Sequence, residues 1–149
     1  AVNNVPMLLV VENNGLAGNV RSPYYLPTRY VHERARGYGI DSARFNGNHV
    51  DEVFAAVKEA SEIVREDLRP FLLEFFTSRL SKHKQGQGDI RSKEELAELA
   101  KRDPLLYEER RLGIDPGLKA QLLAEAESEV RVAIDAARLA PYPTFGGSP

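Results

Sequence analysis

Apolar residues follow two rhythms along this chain. Val5-Pro6-Met7-Leu8-Leu9-Val10-Val11 is an unbroken apolar run that closes on Glu12 and the turn signal Asn13-Asn14-Gly15. A run without polar alternation predicts a strand covered on both faces, as in a parallel sheet. Residues 19 to 28 hold Pro23, Pro27 and two tyrosines and read as loop, and a short helix is predicted from Thr28 to Gly37. Ser42-Ala43-Arg44-Phe45 predicts a second strand, and Asn46-Gly47-Asn48 a turn. The period then changes. Val53, Val57, Ala60 and Val64 recur at helical spacing, and Pro70 closes that helix. Phe71 to Phe76, apolar except for Glu74, predicts a third strand.

Ser81 to Asp89 has no apolar residue and contains two glycines, so it predicts a loop. Three helices follow, each with its own start signal. Ser92 and Glu95 have capping-box spacing. Asp103-Pro104 and Asp115-Pro116 each set a capping Asp before a Pro at the first helical position. The last helix carries Leu118, Leu122, Ala126, Val130, Ala133 and Ala137 on one face. The tail from Pro141 to Pro149 is turn-rich and reads as extended.

This order predicts an α/β fold of three layers, a parallel sheet with helices on both faces, followed by a helical C-terminal section. Residues 1–92 form the α/β portion and 93–149 the helical section of the same domain. Three strands leave both sheet edges open, and the simplest remedy is further strands from other sequence or another subunit.

Composition narrows the function classes. The 149 residues fit one domain. The net charge of -2 carries none of the basic excess of a nucleic-acid binder. There is no Cys, so disulfides and thiolate metal sites are excluded. No apolar run approaches the roughly 20 residues of a membrane span, and no signal peptide is visible. The chain starts at Ala1 and enters a strand almost at once, which predicts a piece of a longer protein.

Two segments could carry chemistry. Glu12-Asn13-Asn14-Gly15-Leu16 ends a buried strand, where open α/β sheets bind ligands. An Asn amide oxygen and a backbone carbonyl are hard ligands suited to Mg2+, although Asn and Gly also dominate plain turns. His83 lies between Lys82 and Lys84 with Arg79 nearby. A His among cations can meet an anion or exchange a proton near neutral pH, although the same residues suit a solvated basic loop. His32 and His49 read as surface or capping residues, and Glu108-Glu109-Arg110-Arg111 as a solvated helix face. No dinucleotide fingerprint, phosphate loop, zinc motif or nucleophile elbow is present.

Taken in order, the pieces resemble the alpha subunits of thiamine-diphosphate-dependent 2-oxo acid dehydrogenases of the pyruvate, branched-chain and acetoin types. The family's E-N-N-G-Y strand end is similar to Glu12-Asn13-Asn14-Gly15-Leu16. Its R-A-x-G-Y-G-I is matched by Arg34 to Ile40, and V-D-G-N-D-V by Phe45 to Val50. P-x-L-I-E-x-x-T-Y-R is matched by Pro70 to Arg79, and the G-H-S loop by Lys82-His83-Lys84. Y-R-x-x-E-E and R-D-P-I are matched by Ile90 to Glu95 and Arg102 to Leu105.

The resemblance implies the C-terminal half of a thiamine-diphosphate-binding fold. It implies that the Asn14 side chain and the Leu16 carbonyl hold the Mg2+ that carries thiamine diphosphate. Glu12 belongs to the same cofactor-binding segment. His83 stands near the diphosphate and the reacting centre, as the catalytic residue, Arg79 shapes its loop, and both are implied to be cofactor-binding residues. The implied partners are a beta subunit in a heterotetramer, a lipoyl-bearing acyltransferase, and either the missing N-terminal half or a second copy. The implied setting is the cytoplasm, or the mitochondrial matrix in a eukaryote.

The departures cluster in the same loop. The Ser of G-H-S is Lys84, the loop Asp aligns with Gln87, the Tyr before Arg79 is Ser78, and the Asp of V-D-G is Asn46. Thirteen residues precede Asn14, too few for the family's upstream G-D-G and its Asp ligand. The sequence therefore leaves two readings open: a divergent or split enzyme, and a non-catalytic module that keeps fold and interface. An acetoin-cleaving relative is a further alternative.

Overall fold

The computed structural model describes residues 2–28 and 30–142. The expected extended tail lies outside the described residues beyond Tyr142. The elements run β1 (Leu8–Asn13), β2 (Leu16–Ala17), β3 (Val20–Arg21), a 3-10 helix (His32–Tyr38), β4 (Asp41–Asn46), α1 (Val50–Asp67) and β5 (Phe71–Phe76). They continue as α2 (Lys93–Ala100), α3 (Pro104–Leu112) and α4 (Pro116–Leu139). Two compact units result, residues 1–111 and 112–149.

In the first unit, β1, β5 and β4 form a parallel sheet in that order. The last strand in sequence is therefore the middle one in space. Leu8 and Asp41 both pair with Phe71, and Asn13 and Asn46 both pair with Phe76. All three strands thus end flush, and the chain segments leaving them converge on one end of the sheet. Side chains of a strand alternate between faces. Leu73 and Phe75 pack with Ala56 and Ala60 of α1, with Leu8, Ala43 and Phe45 around them. Ala56, Ala60 and Val64 are the buried stripe of α1, at the expected helical spacing. The 3-10 helix packs on β4 and β5, so helices lie on both sides of the sheet, as expected of this α/β fold.

Two expectations need correction. The helix expected from Thr28 is a 3-10 helix that begins at His32. Polar side chains satisfy the backbone ahead of it: Thr28 Oγ1 donates to the Tyr30 carbonyl and the Tyr30 amide donates to Glu33. The segment read wholly as loop contains β3, which pairs with β2 in a small hairpin. Strands of two residues are too short to leave a periodic signal.

The turn after β4 shows why Gly47 is required. A β-carbon there would stand 2.7 Å from Thr77 Cγ2 and 2.9 Å from Phe75 Cβ. The Gly47 amide instead bonds the Phe76 carbonyl at 2.9 Å, and Asn48 Oδ1 accepts from the Ser78 amide at 3.0 Å. The capping box at α2 is present in both directions. Asp103 Oδ1 accepts from the Leu105 amide at the start of α3. Arg111 belongs to more than a solvated face: it pairs with Asp51 of α1 at 3.0 Å, and Tyr107 stacks on His49 at 3.9 Å. These contacts tie α3 to the start of α1. In the second unit, α4 begins at its Asp115 cap as expected. All its residues but Lys119 are exposed.

Candidate functional site

The site is assembled where β1 and β5 end. Asn13 and Asn14 make successive side-chain turns: Asn13 Oδ1 accepts from the Gly15 amide at 2.9 Å, and Asn14 Oδ1 from the Leu16 amide at 3.0 Å. These fold the chain sharply out of the sheet into β2. Gly15 takes φ +75° there, which favours glycine. Its carbonyl accepts from the Ser22 amide at 2.9 Å, closing the hairpin.

The hairpin tip meets the loop that follows β5. Arg79 Nη1 donates to the Gly18 carbonyl at 2.8 Å, and Asn19 Nδ2 to the Gly88 carbonyl at 2.9 Å. The His83 ring lies against Gly18, whose β-carbon position is 3.8 Å from His83 Cδ2. His83 and its neighbours Lys82 and Lys84 are exposed.

Beneath this layer sits Glu74, fully buried in the central strand. Asn13 Nδ2 donates to its carboxylate at 2.6 Å, the His32 amide at 2.9 Å, and His32 Nδ1 stands 2.8 Å away. Burial pushes the Glu74 carboxyl up, but the bonds from Asn13 and His32 outweigh it and hold it below its ordinary 4.5. His32 is thus a half-buried partner of Glu74, not a surface residue. A buried acid needs hydrogen-bond donors, and the 3-10 helix supplies two of them.

Asn14, Leu16, Arg21, Arg79, Arg91 and Glu95 line a depression of about 480 Å³. Charge there is mostly paired. Arg21 meets Glu95 at 2.9 Å and Arg91 meets Asp89 at 2.7 Å. The Ser92 amide and then Arg21 hold Glu95 below the usual carboxylate range. Arg79 differs: its Nε and Nη2 are buried and have no hydrogen-bond partner in this chain. Buried guanidinium donors without an acceptor are costly, and they are suited to an anion. Asn14 and Leu16, whose oxygens are of the hard type that suits Mg2+, line the same depression beyond the carboxyl ends of parallel strands.

Of the expected site residues, Asn14, Leu16 and Arg79 come together in this depression. His83 stands on the adjacent hairpin tip. Glu12 is exposed on β1 and does not line the depression. Among the described residues, no three His, Cys, Asp or Glu side chains gather into a metal cluster. A divalent ion here would rest on amide, carbonyl and ligand oxygens.

Sequence reasoning missed Glu74, Arg21, Glu95, Asp89 and Arg91. A lone acid inside the apolar run Phe71–Phe76 was a usable signal for Glu74. The other four lie in polar segments, where charge at a working position looks like charge at a solvated one.

The family model for the dehydrogenase E1 component matches residues 1–141. The 2-oxoisovalerate dehydrogenase subunit alpha of Bacillus subtilis is 34% identical over 148 residues, covering 95% of this chain and 45% of the relative. The pyruvate dehydrogenase E1 component subunit alpha of Rickettsia bellii is 30% identical over 102 residues, covering 68% of this chain and 31% of the relative. The mitochondrial 2-oxoisovalerate dehydrogenase subunit alpha of Mus musculus is 35% identical over 78 residues, covering 52% and 18%. The chain therefore spans less than half the length of these relatives. No helix among the described residues is long and apolar enough to cross a membrane.

Proposed function

The chain belongs to the dehydrogenase E1 component family, and we propose that it is part of the alpha subunit of a thiamine-diphosphate-dependent 2-oxo acid dehydrogenase. The reaction in this reading is decarboxylation of a 2-oxo acid and transfer of the acyl group to a lipoyl domain. The observation that carries it is the meeting of Asn14, Leu16 and the unpartnered donors of Arg79 at the carboxyl end of the sheet. Such a donor set fits a magnesium diphosphate: oxygens for the cation, a guanidinium for the anion.

In this reading the Asn14 side chain and the Leu16 carbonyl bind Mg2+. The Nε and Nη2 groups of Arg79 donate to diphosphate oxygens. His83 holds or releases a proton beside the reacting centre, a role suited to an imidazole near neutral pH. When bound, thiamine diphosphate supplies the electron sink that makes loss of carbon dioxide possible. The remaining ligands come from the portion of the relatives that this chain does not cover and from a beta subunit. The acyl acceptor is a lipoyl-bearing acyltransferase, in the cytoplasm or the mitochondrial matrix.

Calorimetric titration of thiamine diphosphate with Mg2+ tests this, with the chain alone and with the upstream segment and beta subunit added. Binding in the full mixture is expected, weakened at least about tenfold by Arg79→Ala, the loss of one charge-assisted contact. Absence of binding in every mixture overturns the reading and leaves a non-catalytic module.

A further inference from the structure

We propose that neutral His49 is a positioning residue for the turn after β4, held in one tautomer, and that its protonation loosens this turn as far as the Ser78 amide. The device stands on geometry alone. Only its consequence for anion binding, through Arg79 next to Ser78, rests on the reading above.

The direction of each hydrogen bond here follows from backbone amides, which can only donate. The Ser78 amide donates to Asn48 Oδ1 at 3.0 Å, which fixes which way the Asn48 carboxamide faces. Its Nδ2 then donates to Asn46 Oδ1 at 3.1 Å, and the Asn48 backbone amide donates to the same oxygen at 3.0 Å. Asn48 is 7% exposed, so water does not readily replace these bonds. The Asn46 carboxamide is thereby fixed as well, with Nδ2 turned to His49 Nε2 at 3.1 Å. A carboxamide nitrogen only donates, so Nε2 is the unprotonated acceptor and the ring proton sits on Nδ1. His49 makes no side-chain cap to α1, which leaves its ring to these contacts.

A proton added at Nε2 sets N–H against N–H across that 3.1 Å contact. Asn46 cannot turn its oxygen to the ring without giving up both bonds from Asn48. The charged groups around the ring lie elsewhere. Glu52 faces Nδ1 at 3.6 Å, and its other oxygen accepts from the Asn46 amide at 3.0 Å. Asp51 is engaged at 3.0 Å by Arg111 of α3, which also holds Glu108 at 2.6 Å. Tyr107 of α3 stacks on the ring, 3.9 Å between centroids and 11° between planes, and opposes its swinging away. The ring thus has an acid on its Nδ1 side and a donor on its Nε2 side. Protonation breaks the Asn46 contact, and the loss passes through Asn48 to Ser78. The V-D-G-N-D-V pattern that this turn resembles carries acids where Asn46 and His49 stand, so the device arises from this chain's own departures.

The test uses the full chain without cofactor or metal, so that it does not depend on the cofactor reading. In the ring-nitrogen NMR spectrum at about pH 8, where imidazole is ordinarily neutral, His49 should carry its proton on Nδ1. A proton on Nε2 instead overturns the proposal. From about pH 8 to about pH 5.5, a range in which an imidazole gains charge, the Ser78 amide should lose protection from hydrogen exchange. The expected loss is at least about tenfold relative to the Leu73 amide of β5, as when local opening becomes easier. Two variants separate His49 from His32 and His83. His49→Gln keeps an acceptor for Asn46 and cannot ionise, so Ser78 protection should stay constant over that range. Asn46→Asp offers a carboxylate to the imidazolium, so Ser78 protection should rise on acidification. A variant that loses Leu73 protection is set aside and the other decides. No loss in wild type, the same loss in His49→Gln, or the wild-type sign in Asn46→Asp overturns the proposal. The titration of thiamine diphosphate judges the reading of Arg79 separately, and its failure leaves the His49 device standing.

Discussion

The carboxyl end of the sheet and the helix α4 are held by opposite means. At the sheet end, Glu74 and Asn48 are buried polar groups bonded to partners far away in sequence, Asn13 and Ser78, and buried Arg91 joins Asp89 to the carbonyls of Arg79 and Ser81. In α4, every residue but Lys119 is exposed, and its interactions include short-range ones: the Asp115 cap, Gln121 to Glu125, and Asp135 to Arg138. The difference separates two sources of order. One region is defined by contacts that exist only once the chain has folded, and the other by helix signals readable residue by residue.

Truncating an apolar side chain in each region gives the widest contrast. Leu73→Ala, at a side chain 1% exposed in the centre of the core, should cost about 2–5 kcal/mol in urea unfolding. Leu123→Ala, at 52% exposed in α4, should change stability by less than about 0.5 kcal/mol in the chain alone. Similar losses at the two sites would break the comparison.

Glu74→Gln comes next. It keeps the shape but sets an amide where only acceptors are wanted, and should cost about 1–3 kcal/mol at neutral pH. The pH dependence sharpens this. The folded carboxyl of Glu74 lies below its ordinary 4.5, so its contribution is present above that value and is lost as pH falls through the folded value. Wild type should therefore lose stability on acidification below about 4.5 more steeply than the variant. Parallel acid limbs would show that Glu74 gains nothing from Asn13 and His32.

The smallest of the informative effects lies in the cap. Asp115 accepts from the Gly117 and Leu118 amides at 2.8 and 3.1 Å. Asp115→Ala should cost about 1 kcal/mol of helix stability and lower helical circular dichroism, while leaving the sheet unit's unfolding unchanged. Loss of the sheet transition in that variant would mean that the order of α4 is not local.

Much of the fold was legible because its signals are periodic or stereochemical. Phe71 to Phe76 reads as a strand and is one, and the Val57, Ala60 and Val64 spacing marks the face that α1 packs on the sheet. Ser92, Asp103 and Asp115 announced three helix starts through the acceptor each places before a first turn. The candidate site was legible in part. Asn14, Leu16 and Arg79 could be named from a collinear resemblance, and they line one depression.

What the sequence could not decide is which polar residues meet. Placing β5 between β1 and β4 puts Glu74 beside Asn13, 61 positions away, and beside His32, 42 positions away. Nothing local distinguishes His32, which is half-buried against an acid, from His83, which is exposed on a loop. Strand order likewise sets Arg91 among the carbonyls of Arg79 and Ser81 and leaves two donors of Arg79 unanswered. Periodicity and capping act within a few residues, so one sequence fixes them. Pairing of buried charge depends on long-range closure, and only the folded chain decides it.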